Sequence, residues 1–164
     1  MNPAKSRVVV LGSTGSIGVN TLDVIARHPQ RFEVFALTAA TSVETMLAQC
    51  AQHKPVFAVM ASEPHGLQLQ QACRSAGFST RVLWGSSAIA MVAGHELADT
   101  VMAAIVGAAG LAPCLAAAQS GKRLLLANKE ALVVGGQLFM DTVTAGGATL
   151  LPIDSEHSAV FQSL

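Results

Sequence analysis

The chain has 164 residues, ten Lys and Arg balanced by ten Asp and Glu, a pI of about 7.0, 12% charged and 4% aromatic residues. With no run of like charge, nothing favours a nucleic-acid footprint or a basic membrane-surface helix, and small molecules are the expected partners. A chain of this length buries roughly two-thirds of its unfolded surface, enough for one substantial core. So few charges suit a sheet covered on both faces, a surface that packs against further protein, or simply an Ala-rich core.

Residues 1–5 lead directly into an apolar run, with no long hydrophobic region and no small-residue cleavage site, so a cytoplasmic protein is expected. The first predicted strand is 7–11 and the first helix 17–28, closed by His28-Pro29. Between them, Gly12-Ser-Thr-Gly15-Ser-Ile-Gly18 sets glycines at every third position. This is a dinucleotide fingerprint in variant spacing: Gly12 for the tight turn, Gly15 for close approach of a pyrophosphate, Gly18 for helix–strand packing. Ser13, Thr14 and Ser16 can add hydroxyl donors. An ordinary Gly-rich turn reads the same way locally, and it is the position after the first strand that favours the cofactor.

The second strand, 32–37, is followed by Thr38-Ala-Ala-Thr-Ser42, where an NAD enzyme usually places a ribose-binding carboxylate. Its absence favours NADP over NAD, although no Arg or Lys there selects the 2′-phosphate. Glu44 suits the first turn of the next helix.

Helix 43–53, strand 56–60, helix 64–76 with its Gly77 stop, strand 81–84 and helix 88–93 continue the alternation. Next, residues 100–121 carry no charge and are long enough to span a bilayer, but Gly107, Gly110 and Pro113 divide them into a strand 100–106, a loop and a helix 111–120 stopped at Gly121-Lys122. Strand 123–127, helix 130–145 ending at Gly146-Gly147, and strand 149–153 complete the series. Most of the seven strands are continuously apolar, as in strands buried on both faces, and crossovers of helix length make them parallel. The fold class is therefore α/β, a doubly wound, mostly parallel Rossmann-like sheet with helices on both faces.

Two further motifs fall at the C-terminal edge of that sheet, where ligands bind. In Ala127-Asn-Lys-Glu130, Asn128 suits a helix N-cap and Glu130 a first turn as well as either suits a ligand. Lys129 opposes the helix macrodipole there, a cost that a negatively charged or polar ligand would offset. In Pro152-Ile-Asp-Ser-Glu-His157, Asp154 and Glu156 project to one side of an extended segment and can meet one Mg²⁺ or Mn²⁺. The same residues suit a helix beginning near His157, with Asp154 or Ser155 as cap and Glu156 complementing the dipole. Cys50, Cys73 and Cys114 are odd in number, lack metal-site spacing and read as small core residues. His28, His53, His65 and His95 read as surface or helix-end residues.

Taken together and in this order, the motifs Leu11-Gly-Ser-Thr-Gly-Ser-Ile-Gly18, Thr21-Leu-Asp-Val24, Met102-Ala-Ala-Ile-Val-Gly-Ala-Ala-Gly-Leu111, Leu124-Leu-Leu-Ala-Asn-Lys-Glu130 and Leu151-Pro-Ile-Asp-Ser-Glu-His157 resemble the 1-deoxy-D-xylulose 5-phosphate reductoisomerases. The resemblance runs the whole length. It implies isomerisation of 1-deoxy-D-xylulose 5-phosphate to a branched aldehyde and its reduction by NADPH to 2-C-methyl-D-erythritol 4-phosphate, with a divalent metal, in the non-mevalonate isoprenoid pathway. It implies that Gly12, Ser13, Thr14, Gly15, Ser16, Ile17, Asn128 and Glu130 form the cofactor site. Lys129 and Glu156 are implied as catalytic, Lys129, Ser155 and Glu156 as substrate-binding, and Asp154 and Glu156 as metal ligands. Residues 1–150 are then an NADPH-binding domain and 151–164 the start of a catalytic, metal-binding domain. Expected partners are a phosphosugar and, for a full-length protein, a second copy, with neither nucleic acid nor membrane.

Members commonly carry Gly, then Lys or Arg, then Asn where this chain has Ala40-Thr41-Ser42, so no site is carried onto those positions. They are also more than twice as long, with a third metal-ligand Glu, phosphate anchor, lid and C-terminal helical domain expected beyond Leu164. A semialdehyde dehydrogenase uses a similar turn but needs a nucleophilic cysteine, for which Cys114 is the candidate, though no base or cation lies nearby in sequence. A non-catalytic nucleotide-binding module is the alternative outside enzymes.

Overall fold

A computed structural model describes residues 3–127 and 129–153. Seven strands alternate with helices: β1 (Ser6–Leu11), α1 (Ser16–Arg27), β2 (Phe32–Ala39), α2 (Val43–His53), β3 (Phe57–Met60), α3 (Glu63–Ala76), β4 (Arg81–Trp84), α4 (Ser86–Ala93), β5 (Thr100–Ala103), α5 (Leu111–Gln119), β6 (Arg123–Leu126), α6 (Lys129–Gly146) and β7 (Thr149–Pro152). All strand pairs are parallel, in the order β4-β3-β2-β1-β5-β6-β7.

The order explains the two layers. The chain steps outward from β1 to β4 through three crossovers, then returns past β1 to β5 and steps outward the other way. Helices α1, α2 and α3 therefore cover one face, through Leu22, Ile25, Met46, Cys50, Leu69 and Cys73, and α4, α5 and α6 the other, through Val92, Cys114, Ala117, Phe139 and Val143. Alternation along β1 sends Val8 and Val10 to the first layer and Val9 and Leu11 to the second, all four fully buried. The reversal leaves a crevice between the segments that follow β1 and β5.

Three expectations change. The fifth strand ends at Ala103, three residues before the expected 106, because its neighbours stop there: Ala103 pairs with Leu11 and with Leu126, the last residues of β1 and β6. Residues 104–106 line the crevice instead. The helix expected over 130–145 is broken at Gly136 (φ 50°, ψ −131°), so α6 is two helical segments joined at a kink. The second strand runs on to Ala39, which brings Thr38 into the sheet. As for the uncharged stretch 100–121, it divides into β5, a short 3₁₀ turn and α5, and no helix among the described residues is long and apolar enough to cross a membrane.

Candidate functional site: a cleft at the strand switch point

At the C-terminal edge of the sheet a cleft of about 470 Å³ opens where the strand order reverses. Its walls come from the β1 turn (Gly12, Thr14), the end of β2 (Thr38, Ala39, Ala40), the start of α4 (Ser86, Ile89) and the segment after β5 (Ala104, Ile105, Val106). None of these residues is charged. An apolar crevice with a few polar groups at such a switch point is where doubly wound sheets bind ligands.

The glycine turn forms the floor. Gly12 has φ +78°, and a Cβ on it would lie 2.7 Å from the carbonyl oxygen of Ala104, so both the turn and the close passage of the β5 exit require glycine. Gly18 sits where a Cβ would strike the carbonyl of Gly12 and the backbone of Ser13, and this closeness seats α1 against the turn. At Gly15 the nearest atom to a Cβ would be 3.7 Å away and φ is −77°, so what glycine leaves there is open space above the helix start.

α1 begins at Ser16 with no side-chain cap and no acidic residue in its first turn, so no side chain of its own caps its leading N–H groups or offsets its dipole, two residues beyond the cleft-lining Thr14. Thr14 lines the cleft, Gly15 and Ser16 are exposed, and Ile17 packs its side chain against the core beneath. Such a terminus suits an anion held by backbone donors.

Ser13 departs from its expected role as a hydroxyl donor to a cofactor. It is fully buried, its N–H donates to the Thr38 carbonyl (2.8 Å), and its hydroxyl donates to Oε1 of Gln49 (2.7 Å). In return Nε2 of Gln49 donates to the Ser13 carbonyl (2.9 Å), and the Gly12 N–H donates to the Thr38 hydroxyl (3.0 Å). Thr38 and Gln49 were not among the expected site residues. The available signal was a polar residue inside an apolar stripe, since Gln49 shares the buried face of α2 with Val43, Met46 and Cys50.

On the other flank, β5, β6 and β7 end in register, with Leu126 opposite both Ala103 and Pro152. The Ala127 N–H donates to the Ala103 carbonyl and the Ile153 N–H to that of Leu126, so the last described residues after β6 and β7 stay tied to the neighbouring strand at the C-terminal edge of the sheet. Lys129 opens α6, and a Cβ on Gly107, in the segment after β5, would lie 3.7 Å from a carboxylate oxygen of Glu130. Asn128, Asp154, Ser155 and Glu156 lie outside the described residues, among which no cluster of three metal-ligating side chains occurs.

A nucleophilic role for Cys114 finds no support. The residue is 1% exposed in the α5 layer, and burial pushes its thiol up to about 12, so no thiolate is available near neutrality. Burial likewise raises Cys50, to about 12, and Cys73.

A doubly wound parallel sheet whose glycine turn feeds a helix N-terminus at the switch point defines a dinucleotide-binding module of the Rossmann class. Residues 8–136 match the family model of 1-deoxy-D-xylulose 5-phosphate reductoisomerase, and the chain belongs to that family. It is 59% identical to the 1-deoxy-D-xylulose 5-phosphate reductoisomerase of Aromatoleum aromaticum, over 99% of this chain and 40% of that protein. Among solved structures, the enzyme from Zymomonas mobilis in complex with NADPH is similar at 44% identity and a TM-score of 0.88, over 98% of this chain and 42% of the other. A DOX-P reductoisomerase in complex with NADPH, fosmidomycin and magnesium superposes at a TM-score of 0.89 with 46% identity, over 96% of this chain and 38% of the other. The chain thus spans about 40% of the length of the relatives it matches.

Proposed function

We propose that this chain carries the NADPH site and the first metal ligands of a cytoplasmic 1-deoxy-D-xylulose 5-phosphate reductoisomerase. The observation that carries the reading is the uncapped, acid-free start of α1 beneath the glycine turn at the switch-point cleft, in a family whose relatives include structures with NADPH. In this reading residues 1–150 form the cofactor domain and 151–164 begin the catalytic, metal-binding one.

When bound, NADPH supplies a hydride and the divalent ion, Mg²⁺ or Mn²⁺, supplies Lewis acidity toward the substrate's ketone and hydroxyl oxygens. The protein's part is placement. The N–H groups at the start of α1, with Thr14, Gly15, Ser16 and Ile17, receive the pyrophosphate, and Gly12 and Gly18 keep the turn low enough for it. Ala40 would take the adenosine end and the apolar wall of Ala104, Ile105 and Val106 the remainder of the cofactor, with Asn128 and Glu130 as further cofactor residues by the family motif. Lys129 hydrogen-bonds the phosphosugar, Ser155 touches it, and Asp154 and Glu156 hold the metal, with Glu156 also in contact with substrate. Support for the last group is their match to the family motif, together with the parallel register of β5, β6 and β7, the strand that precedes Asp154. The resemblance also underlies the expectation that the complete protein is a homodimer, which sedimentation velocity tests.

The direct test follows NADPH absorbance with the complete gene product, 1-deoxy-D-xylulose 5-phosphate and Mn²⁺ or Mg²⁺. Substrate-dependent and metal-dependent oxidation is expected. If neither metal supports oxidation while NADPH still binds, the site is a nucleotide module and the reductoisomerase reading fails.

A further inference from the structure

We propose that Gln49 is a positioning residue of the cofactor site, acting through Ser13 to aim the Thr14 N–H into the cleft; the proposal rests on the reading of that cleft as the NADPH site. Gln49 lies on α2, far from the turn in sequence, and is 8% exposed, yet its amide spends both functional ends on one residue of the turn. It accepts from the Ser13 hydroxyl at 2.7 Å and donates to the Ser13 carbonyl at 2.9 Å.

The consequence follows from peptide geometry. In a trans peptide the carbonyl and the next residue's N–H point in opposite directions, and the described chain has no cis bonds. By holding the Ser13 carbonyl toward α2 and the interior, Gln49 turns the Thr14 N–H the other way, toward the side on which Thr14 lines the cleft. Were that peptide to flip, a carbonyl oxygen would face the pyrophosphate and repel it. Glycines on both sides of Ser13-Thr14 make the turn pliant, so an outside brace has something to resist. Thr38 fixes the two preceding N–H groups, those of Gly12 and Ser13, but cannot fix this one.

α2 also begins directly after Ala40-Thr41-Ser42, and Ala40 lines the cleft at its adenosine end. One helix thus spans the two ends of the adenosine pyrophosphate, and Gln49 is the point where it grips the turn.

The test compares the complete gene product with Gln49→Met, which keeps the shape and removes both bonds, and with Gln49→Glu, which can accept from the hydroxyl but not donate to the carbonyl. Each variant's NADPH Kd is measured by fluorescence titration, and amide exchange of the 12–16 segment is measured without cofactor. Loss of an aligned backbone donor to an anion should raise the Kd roughly five- to twentyfold. Loop amides should exchange faster, while the KM for the phosphosugar at saturating NADPH stays near wild type. A brace that served only stability would lower the melting temperature and leave the Kd of the folded protein unchanged. Wild-type NADPH affinity in a folded Gln49 variant overturns the proposal, and the Glu variant serves if the Met variant does not fold. Should the wild type itself fail to bind NADPH, faster loop exchange in the variants would retain the brace and discard the cofactor reading. Unchanged exchange would discard both.

Discussion

Gly18 lies against Gly12 so closely that a methyl group on it would meet the Gly12 carbonyl oxygen and come within 2.6 Å of the Ser13 Cα. The contact is between backbone atoms, which cannot swing aside as a side-chain tip can. Gly18→Ala should therefore push α1 off the turn and destabilise the fold by about 1–3 kcal/mol, the usual cost of overpacking. Gly15→Ala has room and a negative φ, so it should leave the melting temperature nearly unchanged while weakening NADPH binding, because its methyl group would occupy the approach to the helix start. Thermal melts paired with NADPH titrations read both. A Gly15→Ala variant that binds normally would remove the pyrophosphate from that position.

NADPH should bind more tightly than NADH, because no carboxylate stands at the end of β2 among Thr38, Ala39, Ala40, Thr41 and Ser42. Thr41 and Ser42 are exposed beyond the cleft-lining Ala40, so Thr41→Asp should cost NADPH affinity through repulsion of the 2′-phosphate and spare NADH. Parallel titrations decide it. Equal or tighter binding of NADH by the unmodified protein would mean that Ala40-Thr41-Ser42 makes no phosphate contact.

The three buried thiols set a pH dependence of known sign. Cys50, Cys73 and Cys114 are all raised above their ordinary value of 9.0, chiefly by burial. The folded state then holds protons that the unfolded chain releases, so this contribution is complete below pH 9.0 and is lost as the pH climbs toward the folded values, about 12 for Cys50 and Cys114. Denaturant midpoints should fall above pH 9.0, less steeply in Cys114→Ala, and alkylation near neutral pH should require unfolding. Rapid labelling of the native protein would contradict the burial of these thiols.

In the complete gene product, Asp154→Asn and Glu156→Gln should each abolish metal-dependent turnover and leave NADPH affinity within about twofold, because the nucleotide rests on a different loop. Residues 1–164 alone should not turn over substrate, since they span about 40% of the length of their relatives and two carboxylates leave most positions of an octahedral ion to water. Metal-dependent assays and nucleotide titrations separate the two functions. A variant that unfolds but keeps its specific activity in the folded remainder would instead assign these residues to a helix cap.

The element series, the parallel sheet and the glycine turn were legible in the sequence, because each depends on local information. Continuous apolar runs announce strands buried on both faces, glycines and prolines punctuate them, and a Gly-x-x-Gly-x-x-Gly spacing after the first strand has few other uses. Family membership was legible for the same reason, as contiguous motifs. What only the tertiary structure decided depends on which distant segments meet. Strand β5 ends at Ala103 because β1 and β6 end beside it, a limit that no feature of residues 104–106 themselves expresses. Ser13 turned from an expected cofactor donor into an interior brace because α2 delivers Gln49 beneath it, 36 residues along the chain. A hydroxyl's role is set by whichever polar group burial leaves it to satisfy, and burial is a property of the packed layers.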